Sequence, residues 1–325
     1  MEVRTMLDNF QPEFTGLYTF LGFEYTKDIK DADAVFYGMP FDLGVTNRPG
    51  CKFGPNAIRK FSSCKNYHEE LDFNILDNFK AVDYGNFDMP ISYIEKSMEK
   101  VITELSGILE NTDAVTIGVG GDHTLAFPEL SALKKKYGKV AIVHFDSHTD
   151  TWAGEYFSGQ TAIHHGTPFR LALEQECIDG AHSIQVGMRG GLNSVHDHDY
   201  AFSNGFEIIS ANELADIGME AAADRIRGKV GDAPVFVTFD IDFLDPAFAP
   251  GTGTPVIGGF TTAEALKLLR LSLTGLNIVG MDLVEVAPEY DPAEITCVAA
   301  RDILREFTAI LSYNKNILKV KKSGK

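Results

Sequence analysis

A three-layer α/β sandwich, with helices covering both faces of a central parallel sheet of about eight strands, is the fold that this 325-residue sequence predicts. Three observations carry the prediction. Short apolar runs recur along the chain and amphipathic stretches separate most of them, and strands alternating with helices assemble into parallel sheets covered on both faces. Asp, His or Glu residues follow the ends of four such runs, where sheets of this kind build their ligand sites. No internal repeat, low-complexity segment or linker interrupts the pattern, so residues 1–325 read as one domain.

Residues 1–33, rich in Phe and acidic groups, lack clear periodicity and are expected to wrap the surface or a neighbouring subunit. Ala34-Val35-Phe36-Tyr37-Gly38 is a buried strand ending in Met39-Pro40-Phe41-Asp42. A Gly- and Pro-rich loop follows, from Gly44 through Asn47-Arg48-Pro49-Gly50 to Gly54-Pro55, and Pro55 suits the first turn of a helix through Ile58 and Phe61. Lys80 to Asp83 is a second strand. Over Ser92 to Leu109, Ile94, Met98, Val101, Ile102 and Leu105 share one face of a helix. Ala114 to Val119 is a strand that runs into Gly120-Gly121-Asp122-His123-Thr124, with a helix from Ala126 towards Lys136.

Val140 to Phe145, Ser183 to Gly187, Glu207 to Ile209, Val235 to Phe239 and Ile278 to Val284 complete the strands. Helices are expected from Ala211 to Gly228, from Thr261 to Leu273 with Thr261 or Thr262 as cap and Glu264 nearby, and from Glu294 to Leu311. Lys319 to Lys325 is a basic tail expected to be frayed and flexible.

The composition excludes several classes. A formal net charge of -17 argues against nucleic acid and anionic membranes as partners and favours cationic small molecules at long range, although solubility alone also accounts for it. The four cysteines, Cys51, Cys64, Cys177 and Cys297, show no Cys-x-x-Cys spacing, which suits free thiols in a reducing compartment. No apolar run approaches ~20 residues, and Met1-Glu2-Val3-Arg4 opens no signal-like segment. A cytoplasmic location is the expectation.

Chemistry concentrates at the strand ends. Asp146, His148 and Asp150 alternate after Phe145, and on an extended chain alternate side chains point one way. His123 follows the strand at Ile117, Asp240 and Asp242 follow Phe239, and Glu285 follows Val284. Each has an ordinary explanation as a strand-end or helix-start residue. In a parallel sheet, however, all lie along one edge. Four carboxylates and two imidazoles from His123, Asp146, His148, Asp150, Asp240 and Asp242 are about right for two bridged cations, and their oxygen-rich mixture favours Mn²⁺ over zinc–thiolate chemistry.

The blocks Gly120-Gly121-Asp122-His123-Thr124, His144-Phe145-Asp146-Ser147-His148-Thr149-Asp150 and Thr238-Phe239-Asp240-Ile241-Asp242-Phe243-Leu244-Asp245-Pro246 resemble the three metal signatures of the ureohydrolases, the arginase and agmatinase family. Ala249-Pro250-Gly251-Thr252-Gly253-Thr254-Pro255, Gly258-Gly259, Asn47-Arg48-Pro49-Gly50 and Phe53-Gly54-Pro55 extend the likeness over about Ala34 to Leu311. The resemblance implies an arginase/deacetylase-like sandwich and two Mn²⁺ per subunit, with Ni²⁺ or Co²⁺ as alternatives. It also implies hydrolysis of a guanidino compound to urea and an amine. One ion would be held by His123, Asp146, Asp150 and Asp240, the other by Asp146, His148, Asp240 and Asp242. Asp150 would also orient the nucleophile, His165 of His165-Gly166-Thr167 would carry a proton to the leaving amine, and Glu285 would clamp the guanidinium bidentately.

Substrate choice is less legible. Asn47 and Arg48 resemble the agmatinase and guanidino-acid hydrolase loop, whereas Gly187-Met188-Arg189-Gly190 resembles the guanidinobutyrase and guanidinopropionase branch. Arg189 would meet a substrate carboxylate or hold the sheet edge. Agmatine, cleaved to putrescine and urea, is the first expectation. 4-Guanidinobutanoate and 3-guanidinopropanoate are next, ahead of formiminoglutamate, guanidine and arginine. A zinc deacetylase and a non-catalytic relative are the readings from other classes, and the full six-residue ligand set counts against both. The resemblance implies a homotrimer or homohexamer.

Overall fold

The computed structural model of the chain describes residues 15–153 and 162–318. Residues 1–14 of the expected wrapping segment and the expected basic tail, 319–325, lie outside these. Eleven strands are present among the described residues: β1 (Glu24–Tyr25), β2 (Ala34–Met39), β3 (Tyr67–His68), β4 (Phe73–Asn74), β5 (Ala81–Asn86), β6 (Val115–Gly120), β7 (Ala141–Phe145), β8 (Ile184–Met188), β9 (Glu207–Ser210), β10 (Pro234–Asp240) and β11 (Asn277–Val284). Nine of them form one sheet in the order β1-β5-β2-β6-β11-β10-β7-β8-β9, parallel throughout, while β3 and β4 make a small antiparallel ribbon. The ninth sheet strand is β1, paired with β5 at the edge; at two residues it is too short to show a period in sequence.

The helices are α1 (Gly54–Arg59), α2 (Ile94–Asn111), α3 (Ala126–Tyr137), α4 (Pro168–Glu174), α5 (Asp199–Ser203), α6 (Ala211–Val230), α7 (Thr262–Leu273) and α8 (Ile295–Tyr313). The expected start of α7 is present as a full capping box, with Thr261 and Glu264 each accepting from the other's backbone N–H. Short α4 and α5 were not apparent in the sequence, having too few turns to display a stripe.

The sheet divides the interior into two cores. Ala141, Val143 and Phe145 of β7 and Val235, Val237 and Phe239 of β10 enter one core with residues of α1, α6, α7 and α8. Ile142, Phe236, Val35 and Tyr37 enter the other with α2, α3, α4 and α5. Strands apolar on both faces follow from this arrangement. One transverse row breaks the rule. Tyr37, Gly118, Asp282, Thr238, His144 and Gln185 pair in register across six adjacent strands. Every side chain in that row is fully buried.

The same register levels the strand ends: Phe145 stands opposite Phe239, Asp240 opposite Val284, and Met39 opposite Gly120. The loops after β2, β6, β7, β10 and β11 therefore emerge side by side. Gly121 allows the closest approach among them, since a Cβ there would lie 1.6 Å from the Phe41 carbonyl oxygen.

Candidate metal centre

His123 opens a short 3-10 turn after β6, held by the Asp122 carboxylate that accepts from the Thr124 N–H. Asp146 follows β7 directly, and Asp240 ends β10 while capping the next turn through the Asp242 N–H at 2.7 Å. The chain then reverses sharply at Asp150, whose φ of 50° is left-handed, and Glu285 after β11 shares that region at φ 66°. Such conformations carry a cost that surrounding structure must offset. Backbone bonds do so here: Phe169 donates to the Asp150 carbonyl, and Glu285 donates to that of Gly121.

The six residues expected as ligands come together. His123 Nδ1 lies 2.8 Å from Asp150 Oδ2, 3.1 Å from Asp146 Oδ2 and 3.5 Å from Asp240 Oδ2. His148 Nδ1 lies 3.1 Å from Asp242 Oδ2 and 3.4 Å from Asp146 Oδ1. Asp146 thus faces both groups with a different oxygen. Asp240 reaches only the His123 group through the contacts seen, its other oxygen serving the turn.

These residues fit divalent cations. Neighbouring donors on an octahedral ion with bonds of about 2.1 Å sit about 3 Å apart, which matches the separations just given. His123 Nδ1 is buried and has no well-aligned hydrogen-bond partner among the described residues, although three carboxylate oxygens surround it. Nε2 of the same ring has the Thr238 hydroxyl at 2.8 Å. A ring nitrogen directed into a nest of carboxylate oxygens is the arrangement of a ligand.

The electrostatics point the same way. Burial raises Asp240 well above the usual carboxylate range, with Asp242 and Asp146 adding to it, and burial with Asp146 likewise raises Asp242. Burial opposes ionisation of Asp146 too, but His144, His123 and His148 hold it well below. Burial would lower both imidazoles, yet the carboxylates raise His123 far above its ordinary value and His148 to about 12. The cluster carries more negative charge than a buried site sustains unaided.

His144 enters the cluster without having been singled out in the sequence. It lies with His123, Asp146 and Asp150, but its role differs from theirs. Gln185 Nε2 lies 2.9 Å from Nδ1 and 2.6 Å from the Thr149 carbonyl, so its amide donates to both, leaving His144 Nε2–H to donate to Asp146 Oδ2 at 2.7 Å. His144 is thereby a support for Asp146. Ser147 likewise donates its N–H and hydroxyl to Asp242 Oδ1.

Glu285 and His165 form the other half of the site. His165 Nδ1 is 3.0 Å from Glu285 Oε1, which also accepts the His123 N–H at 2.8 Å. Cys51 Sγ is 3.7 Å from Oε2. On the far side, His165 Nε2 lies 2.7 Å from the Thr46 hydroxyl and 3.2 Å from its N–H. Burial would lower His165, but Glu285 prevails and raises it to about 9. The Thr46 N–H donates to Nε2, which suits a ring whose Nδ1 carries a proton towards Glu285.

The substrate-loop residues are placed differently. Asn47 donates to the Gly253 carbonyl at 3.2 Å, and the Arg48 guanidinium lies over the Tyr290 ring at 5.3 Å. Arg189 donates to the carbonyls of Asp242, Leu244, Val256 and Gly187. Its guanidinium is committed to backbone.

A parallel sandwich whose level strand ends gather two imidazoles and four carboxylates is an α/β protein with a cluster able to bind metal. The chain belongs to the Arginase family, whose pattern matches residues 32–309. It is similar to the agmatinase of Chromobacterium violaceum, 39% identical over 93% of this chain and 91% of that protein. It is also similar to the mitochondrial agmatinase of Gallus gallus, 36% identical over 91% of this chain and 86% of that one. Among solved structures, the proclavaminate amidino hydrolase of Streptomyces clavuligerus superposes with a TM-score of 0.88 at 36% identity, covering 94% of this chain and all of that one.

Proposed function

We propose that this protein is a ureohydrolase that cleaves agmatine to putrescine and urea. The observation that carries the reading is the joint placement of the six-residue donor cluster and the buried Glu285–His165 pair at one sheet edge. His123, Asp146, Asp150, Asp240 and Asp242 with His148 would hold two divalent ions, Mn²⁺ being the best match to an oxygen-rich donor set. Bound there, such ions lower the pKa of water and so supply a strong nucleophile at neutral pH.

The remaining work falls to side chains. Glu285, buried and ionised, offers its carboxylate to a planar guanidinium, and the bidentate fit fixes the direction of the reacting carbon. Asp150 would accept a hydrogen bond from the attacking group. His165, charged at neutral pH through Glu285, delivers a proton to the departing amine, without which the C–N bond holds. Thr46 steadies its outer nitrogen.

Agmatine is favoured over guanidino acids because Arg189, the cation best placed by sequence to meet a carboxylate, is occupied by backbone carbonyls. The names of the relatives and the acidic chain agree with this. The solved relative named for proclavaminate keeps a carboxylate-bearing substrate as the second reading. Turnover of agmatine, 4-guanidinobutanoate and 3-guanidinopropanoate, compared on protein loaded with Mn²⁺ or Ni²⁺, decides between them. Agmatine turnover below that of either acid refutes the first choice. A homotrimeric or homohexameric assembly in the cytoplasm completes the proposal. No described helix is long and apolar enough to cross a membrane.

A further inference from the structure

Beneath the donor cluster, the buried row across the sheet holds an acidic pair that the reaction does not use. Asp282, in the middle of β11, is flanked in register by Thr238 on β10 and Gly118 on β6. Glu129 of α3 enters the gap above Gly118, where a Cβ would lie 2.3 Å from its Oε1. Tyr37 donates its hydroxyl to Glu129 Oε1. Asp282 and Glu129 are both fully buried and meet at Gly118, the register neighbour of Asp282. Even so, Oε2 of Glu129 and both Asp282 oxygens have no well-aligned donor among the described residues.

Two facing carboxylates buried this deeply are not both ionised, so one proton lies between them. Glu129, which burial and the Asp282 charge raise well above the usual carboxylate range despite the hydrogen bond from Tyr37, is the one that carries it. Asp282 then stays an acceptor. Its other neighbour is the Thr238 hydroxyl, which in turn stands 2.8 Å from His123 Nε2. With His123 Nε2–H donating to Thr238, the Thr238 hydroxyl proton is left to turn towards Asp282, its register neighbour.

We propose that Thr238, Asp282 and Glu129 form a positioning relay that fixes the tautomer of His123, so that Nδ1 always presents its lone pair to the metal. The relay rests on the metal-site reading above and adds to it a part buried outside the ligand set. The bonding of a ligand's second nitrogen sets both its orientation and its basicity, and loss of such partners costs about 10–100-fold in metal affinity.

The test measures Mn²⁺ affinity by chelator competition on full-length wild-type protein and four variants, with thermal melting of the metal-free forms as a check on folding. Thr238→Val should weaken the tighter-held ion by about 10–100-fold, and Thr238→Ser, which keeps the hydroxyl, should restore it. Asp282→Asn should weaken it similarly, whereas Glu129→Gln, still a donor towards Asp282, should leave affinity within about threefold of wild type. Adding Asp282→Asn to Thr238→Val should cost little more than Thr238→Val alone, because both act through one bond. Wild-type protein that binds no metal overturns the site and the relay together. Wild-type binding with an unchanged Thr238→Val, or fully additive losses in the double variant, overturns the relay alone.

Discussion

Replacing Glu285 by Gln gives a direct measure of how firmly the site holds charge. The substitution keeps size and one acceptor oxygen while removing the charge opposite His165, 3.0 Å away. His165 stands at about 9 in the folded protein, against about 6.5 for a free imidazole. That difference corresponds to roughly 3 kcal/mol of interaction between the charged ring and its surroundings. Because the folded value is raised, this stabilisation is fully present below about pH 6.5 and fades as pH climbs through about 9. Glu285, held below the usual carboxylate range against the effect of burial, sets the opposite limit: its share fades as pH falls through its own lowered value.

In metal-free Glu285→Gln protein, burial continues to disfavour the imidazolium, and only the smaller effects of Asp150 and Asp122 remain to oppose it. The ring titration followed by NMR should therefore drop from about 9 towards the ordinary imidazole value of about 6.5. For a chain of this length, ~3 kcal/mol corresponds to about 4 °C in melting temperature, visible at pH 7 and absent at pH 10. Turnover of guanidino substrates should fall at least ~10-fold through loss of the charged anchor. A ring that still titrates near 9 in the variant refutes the assignment of Glu285 as the group that charges His165.

Asp146→Ala, which removes the carboxylate facing both donor groups, should reduce bound metal from two ions per chain to nearly none and urea release to background; full metal content by elemental analysis overturns the two-ion reading. The His148 side chain is 21% exposed and that of His123 is 0%, so chelator should strip the two ions in separate phases. The ion beside His148 should leave first, and His148→Ala should retain one equivalent; simultaneous loss contradicts this. Arg189→Leu should lower the melting temperature by several degrees by orphaning backbone carbonyls, while the ratio of agmatine to guanidino-acid turnover stays the same. A reversed preference at unchanged stability would return Arg189 to the substrate.

The arrangement was legible in sequence where one residue type carries one meaning. Apolar runs such as Ala141–Phe145 announce buried strands, and a parallel sheet puts their ends along one edge, so His123, Asp146, Asp240 and Glu285 were expected together before any distance was known. What could not be seen depends on register. His144, Thr238 and Asp282 lie inside apolar strands, and nothing local tells that they align with one another or face the same core. Glu129 reads as an ordinary first-turn acid of α3. Arg189 shows the reverse difficulty: the Gly-Met-Arg-Gly block was visible, but the carbonyls that occupy the guanidinium come from the chain around Asp242 to Val256. An alternating polar residue within a core strand was the available signal, and it points to a buried row only once neighbouring strands are known.

The levelled strand ends also bear on how the protein is made. His123, Asp146 and Asp240 come from β6, β7 and β10, and β11 lies between β6 and β10, so the donor set exists only after the segment up to Val284 has been laid into place. A ribosome-bound chain that ends before β11 can pair β10 with β7 but leaves β6 stranded from them. Parallel pairings of this separation form slowly, and ions that bind only the finished sheet pull the equilibrium towards it. Metal uptake at the proposed site would therefore report completed assembly, and a nascent or truncated chain lacking the last strand should emerge without it.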